Sequence, residues 1–186
     1  MIATTELYTV WASLLHYPKG DDCKLLPERI QTLKDAIPMV AADLQPLLDY
    51  AASHSESELE EVFTRTFDGN AERALELGWH LHGENYARGV FMVRMRKLLR
   101  DAGIEETTEL PDHISHVLYI LGRSEPKVIH ALATGVVSPA LAKIKEGFSN
   151  QENPYFGVIT GLKRFIDHAD LGLSSPAAFN EEQPND

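Results

Sequence analysis

Five residues in two short segments have the types and spacing to do chemistry: His80 and His82 in one, and Asp112, His113 and His116 in the other. Imidazoles and a carboxylate are the ligand set of a tetrahedral zinc site. If the two segments meet in space, such a set would support an all-helical metal-dependent hydrolase. His113 and His116 are three apart and share a face of a predicted helix, whereas the spacing of His80 and His82 suits a strand better than a helix. The same side chains equally fit a polar surface or a hydrogen-bonded contact between helices.

Each segment has further unusual residues around it. The first runs Trp79-His80-Leu81-His82-Gly83-Glu84-Asn85-Tyr86-Ala87-Arg88-Gly89. Gly83 permits a tight entry to the following helix, and Glu84 in the first turn would face the positive end of the helix dipole. Arg88, four residues on, is placed for an ion pair with Glu84. Gly89 inside a helix costs about 1 kcal/mol against Ala, which predicts a neighbour in close approach there. The second segment, Glu109-Leu110-Pro111-Asp112-His113, puts two carboxylates and an imidazole in a rigid turn. It reads either as helix capping or as a patch that grips a cationic or amide-rich peptide. On the second reading, alanine at Asp112 or His113 weakens ligand binding and leaves stability nearly unchanged.

Other catalytic constellations are absent from the sequence. It has no Gly-rich phosphate loop, no Gly-x-Ser-x-Gly elbow, no His-Glu-x-x-His and no Glu-x-x-His of the di-iron bundle kind. The single cysteine, Cys23, excludes an internal disulfide and a thiolate zinc finger. Its acidic neighbours would raise rather than lower the thiol pKa.

The elements that must position these residues have a helical period almost throughout. Leu7, Val10, Trp11, Leu14 and Leu15 form one stripe, stopped by Tyr17-Pro18-Lys19-Gly20. Leu26, Ile30, Leu33 and Ile37 form a second, and Val40, Leu44, Leu47 and Leu48 a third. Ser57 with Glu60 reads as a capping box opening a helix over Leu59, Val62 and Phe63. Asp68-Gly69-Asn70 is a turn signal. A long helix is predicted from Glu84 to Ala102, with an apolar face broad enough for the centre of a bundle, ending at Gly103. Ser138-Pro139 and Asn153-Pro154 each place a capping residue before a proline, with Ser124-Glu125-Pro126 a looser version, and they predict helices over about 125–135, 139–148 and 154–169. The expectation is an all-α, single-domain helical bundle of about eight helices over residues 1–173, followed by a disordered acidic tail at 174–186.

Composition bounds the partners. The 186 residues carry 17 Lys and Arg against 28 Asp and Glu, a formal net charge of −11. Such a surface repels phosphate backbones and anionic headgroups, so nucleic acid and direct membrane insertion are not expected and basic partners are favoured. No apolar run near the ~20 residues of a membrane span and no signal peptide are read from the sequence, which points to the cytoplasm.

The ordered succession Phe67-Asp68, His82-Gly83-Glu84, Arg88-Gly89, Met92, Gly103, Glu109-Leu110-Pro111-Asp112-His113 and Asn153-Pro154-Tyr155 resembles the nitrate reductase delta subunit (NarJ) family, within the TorD/DmsD superfamily of redox-enzyme maturation chaperones. The resemblance implies an all-α cytoplasmic chaperone without catalytic activity or a cofactor of its own. Its partner would be the apo catalytic (alpha) subunit of a DMSO-reductase-type molybdoenzyme, held by its N-terminal peptide. The client would acquire a molybdopterin guanine dinucleotide cofactor before membrane docking or export. The resemblance further implies a peptide-binding region at His82, Glu84, Arg88, Glu109, Pro111, Asp112 and His113. Where the family commonly continues with Leu-Pro and then Leu-Glu, this chain has Ile114-Ser115 and Leu118-Tyr119, which leaves the client's substrate open. A structural adaptor that stays in the mature complex is the remaining alternative.

Overall fold

Ten α-helices follow one another in a computed structural model that describes residues 4–173, with side chains to His168. They are α1 (Thr4–Ser13), α2 (Asp21–Ala36), α3 (Ala41–Ser53), α4 (Glu56–Thr66), α5 (Leu77–His82), α6 (Tyr86–Asp101), α7 (Ile114–Arg123), α8 (Pro126–Leu132), α9 (Ser138–Glu146) and α10 (Pro154–Leu173). No strand occurs among the described residues, and the expected acidic tail at 174–186 lies outside them. The fold is the expected all-α bundle, with α5 and α7 added to the eight helical spans read from periodicity and capping.

The stripes read from the sequence form the core. Trp11, Leu14, Leu15, Leu26, Ile30, Leu33, Val40, Leu44 and Leu47 are buried together, with Tyr8 and Tyr155 among the largest buried side chains. α1 lies along α7, and α10 packs between α3 and α9. The α3–α10 contact is close because Gly157 faces the backbone of Asp43, where a methyl group would collide with the carbonyl. Arg164 fastens the same pair of helices through Asp43, at 3.1 Å.

Five local expectations are corrected. Ser55, not Ser57, caps α4, with its side chain and that of Glu58 forming the capping box. The sequence holds two overlapping Ser-x-x-Glu patterns, and either places Leu59, Val62 and Phe63 on the buried face, so burial does not select the cap. Ser138-Pro139 does not start a new helix. Its backbone stays helical, and a π-helical turn at Ala133–Val137 joins α8 to α9. The wider turn accommodates a proline that has no N–H and whose ring would crowd an ordinary helical turn. The joined segment Pro126–Glu146 is therefore long and apolar enough to cross a membrane by length and composition, although a third of its apolar window is buried in the bundle.

The remaining three corrections concern α6. It begins at Tyr86 behind the cap Asn85, whose side chain accepts from Ala87 N, so Glu84 precedes the helix. It packs on α5 and α7 through Phe91, Met95 and Leu99, while Tyr86 and Val93 are exposed, so it flanks the bundle rather than running through its centre. Nothing approaches Gly89 within 4 Å. Gly103 does adopt the left-handed conformation (φ 65°) expected beyond the last turn.

Candidate functional site

The two segments singled out by their chemistry do meet. Glu76 and His113 form an isolated antiparallel bridge, in which Leu77 N donates to Asp112 O (2.9 Å) and Ile114 N to Leu75 O (2.8 Å). This backbone clasp ties the start of α5 to the start of α7. Below it, Arg88 Nε donates to Asp112 Oδ2 at 3.1 Å, with Asp112 fully buried and Arg88 largely so. Arg88 also lies over the Trp79 ring, 5.8 Å from its centroid. The pair forms because Asp112 approaches Gly78, where a Cβ would stand 2.6 Å from Oδ2 and 2.8 Å from the Phe91 ring. Arg88 is thus turned to Asp112 and not to Glu84, the partner expected from helical spacing.

The histidines are committed to the same scaffold. His113 caps α7: its Nδ1 accepts from Ser115 N (3.3 Å) and lies 2.8 Å from the Ser115 hydroxyl. His116, also buried, donates from Nδ1 to Leu110 O (2.9 Å) and accepts at Nε2 from Thr107 N (3.3 Å). It thereby fixes the loop that presents Glu109. His80 bonds Ala74 O through Nε2 at 2.7 Å. His82 sits on the same short helix as His80, not on a strand, and tilts against Phe91. Among the described residues no group of three His, Cys, Asp or Glu is placed to hold a metal ion. The zinc-hydrolase alternative is corrected on that geometry: His80, His113 and His116 are held on backbone groups, Asp112 on Arg88, and His82 lies against Phe91. Burial, with the charges of Glu56 and Glu60, pushes the Cys23 thiol up, the direction expected, though not through the acidic sequence neighbours.

Beside the clasp opens a cavity of about 610 Å³. Leu15, Tyr17, Phe63, Phe67 and Leu75 supply its apolar lining; Asp68, Glu76, Glu109 and His113 supply the charge and polarity. No Lys or Arg lines it. The rings are packed edge to face, Tyr17 on Phe63 at 5.8 Å and Phe63 on Phe67 at 5.1 Å between centroids. Burial raises the Glu76 carboxyl above the usual range, and the negative charges of Asp112 and Glu109 push the same way. Partial desolvation raises Asp68. Burial drives His113 down to about 3, reinforced by His116 and His16, so the ring is neutral near pH 7. A second acidic hollow shares Tyr17 and Gly69 with the first and carries Glu60 and Glu61, with Arg65 held on Glu61.

Of the seven residues the sequence singled out for peptide contact, Glu109 and His113 line this cavity, and His82 lines a separate one with Trp79 and Lys143. Pro111 and Asp112 are buried, and Arg88 is turned to Asp112. Glu84 is exposed at the entry to α6, beside Gly83 in a left-handed conformation (φ 66°). The residues missed are Tyr17, Phe63 and Glu76. Glu76 gave a faint signal, a lone acid between Leu75 and Leu77 where helical periodicity fails. Tyr17 was legible only as part of a helix stop.

The fold and cavity define an all-α protein with an acidic, aromatic-floored cleft. The profile of the nitrate reductase delta subunit family matches residues 34–160, and the chain belongs to that family, a family of molybdoenzyme maturation chaperones. No curated protein matches the chain.

Proposed function

We propose that this protein is a non-catalytic assembly chaperone. It binds the N-terminal segment of the apo catalytic subunit of a DMSO-reductase-type molybdoenzyme and holds it in the cytoplasm while molybdopterin guanine dinucleotide is inserted, before membrane docking or export. Family membership supports the chaperone class. The observation that carries the peptide is the cleft: a large cavity with an apolar aromatic floor, carboxylates at its wall and no cation of its own. Apolar side chains of an amphipathic segment would lie on Phe63, Phe67 and Tyr17, and its basic residues would meet the acids.

Within this reading the seven candidate residues divide by position. Glu109 and His113 would touch the peptide in the cleft, and His82 and Glu84 would touch it where it leaves along α5 and α6. Arg88, Pro111 and Asp112 would act from behind, by holding the clasp that shapes the wall. The client is expected to be encoded beside this chain. Isothermal titration of its N-terminal peptide into the folded full-length protein should give saturable one-to-one binding. Absence of heat at high micromolar peptide, with the helical circular dichroism intact, would remove the proposal.

A further inference from the structure

We infer that the outward face of α6 is a docking surface for an acidic amphipathic helix of a protein partner. The partner's apolar stripe would lie on Tyr86, Val90 and Val93, and its carboxylates would meet Arg94, Lys97 and Arg100. The surface uses none of the residues that line the cleft, so it stands or falls apart from the peptide reading.

α6 is apolar on two sides and buried on one. Phe91, Met95 and Leu99 turn into the bundle. Tyr86, Val90, Val93, Lys97 and Arg100 follow at alternating four- and three-residue steps, which sets them in a row on the opposite side. Tyr86 is 88% exposed and Val93 63%, the two most exposed large apolar side chains among the described residues. The row contains a gap. Gly89, three residues after Tyr86 and four before Val93, shares their side, and nothing among the described residues comes within 4 Å of its Cβ position. Glycine weakens a helix interior relative to alanine, and here no internal contact offsets that loss. A missing side chain in the middle of an exposed row lets the backbone of a second helix approach, because the distance between helix axes follows the size of the side chains at the contact.

Charge sets the sign of the partner. The whole chain has 28 acidic residues against 17 Lys and Arg, whereas α6 holds Arg88, Arg94, Arg96, Lys97 and Arg100 against Asp101 alone. Arg88, Arg96 and Lys97 are paired, with Asp112, Glu106 and Asp101 respectively. Arg94 and Arg100 are exposed and have no acidic partner among the described residues. The helix dipole favours Arg100 in the last turn but gives no reason for Arg94, which lies well before it. Polyphosphates and anionic lipid are disfavoured by the net charge of −11, which repels an extended anion as a whole. A helix with carboxylates along one apolar edge carries its charge locally, fits the row and uses the gap at Gly89.

The probe is a capped peptide repeating the heptad Glu-Ala-Leu-Glu-Ala-Leu-Glu, titrated into the ¹⁵N-labelled full chain, with its lysine-for-glutamate counterpart as control. The α6 amides should shift saturably with the acidic peptide and stay in place with the basic one. Gly89→Leu should raise the melting temperature, because it puts a helix former into open space, and should weaken the peptide about tenfold by filling the gap. Arg94→Glu combined with Arg100→Glu should also weaken it about tenfold, and Val93→Ser about fivefold. None of these positions is in the core, so thermal melts should show folded variants. Equal response to the two peptides, no saturable shift at high micromolar peptide, or unchanged affinity in folded variants would overturn the surface. So would either other occupant: phosphatidylglycerol vesicles that perturb α6 where the peptide does not, or self-association of the full chain that Val93→Ser abolishes.

Discussion

Arg88 and Asp112, 24 residues apart in sequence, meet at 3.1 Å with the carboxylate sealed from solvent. Asp112 Oδ2 accepts a hydrogen bond from Arg88 Nε, while Oδ1 is buried without a partner. The pair therefore stands on one strong contact at the back of the cleft wall.

The two halves of this pair are not equivalent. Arg88→Ala strands a buried carboxylate and should cost about 3 kcal/mol or more, whereas Asp112→Ala leaves a cation that can turn to water and should cost less. Urea unfolding at pH 7 measures both. This reverses the expectation from sequence that alanine at Asp112 leaves stability nearly unchanged, because that expectation treated the carboxylate as a surface group.

Two glycines are fixed by what faces them. Gly78→Ala should cost about 1–3 kcal/mol, since the methyl meets Asp112 Oδ2 and the Phe91 ring and both side chains must shift. Gly157→Ala should cost more, because its neighbour is the Asp43 backbone. Gly89→Ala has open space and should stabilise α6 by about 0.5–1 kcal/mol. Melting temperatures of the three variants should run highest for Gly89→Ala, then Gly78→Ala, and lowest for Gly157→Ala.

Acid should destabilise the fold through His113. Its pKa falls from 6.5 to about 3 on folding, so between those values the unfolded chain binds the extra proton and stability rises with pH. Burial lowers His16 and His80 in the same direction. Glu76 and Asp68 are raised, so their contribution has the opposite sign, present at low pH and lost as pH rises through their folded values. With the histidines dominant, wild type should lose roughly 2 kcal/mol between pH 7 and 5. His113→Asn keeps a capping acceptor without the titration. Urea midpoints at pH 5, 6 and 7 should fall less steeply for it than for wild type.

The cap of α4 separates two serines that look alike in sequence. Ser55→Ala should cost about 1 kcal/mol, and Ser57→Ala within a few tenths of zero, read as shifts in the urea midpoint.

Helical periodicity, capping residues and the absence of catalytic motifs determined the all-α class, most helix spans and the core, because amphipathic burial is a local pattern that each stripe carries by itself. Leu26, Ile30 and Leu33 announce their helix without reference to any other. The order of short motifs was enough to point to the nitrate reductase delta subunit family. What only the tertiary structure decided is which of those motif residues reach solvent. Asp112 and Arg88 read as surface charges because their types favour exposure, yet Gly78 lets the two segments close and bury them. Glu76 and Tyr17, unremarkable in sequence, come to line the cleft because a two-residue backbone bridge and the stop of α1 place them there. Pairing across 24 residues is set by packing and leaves no periodic signal in the chain.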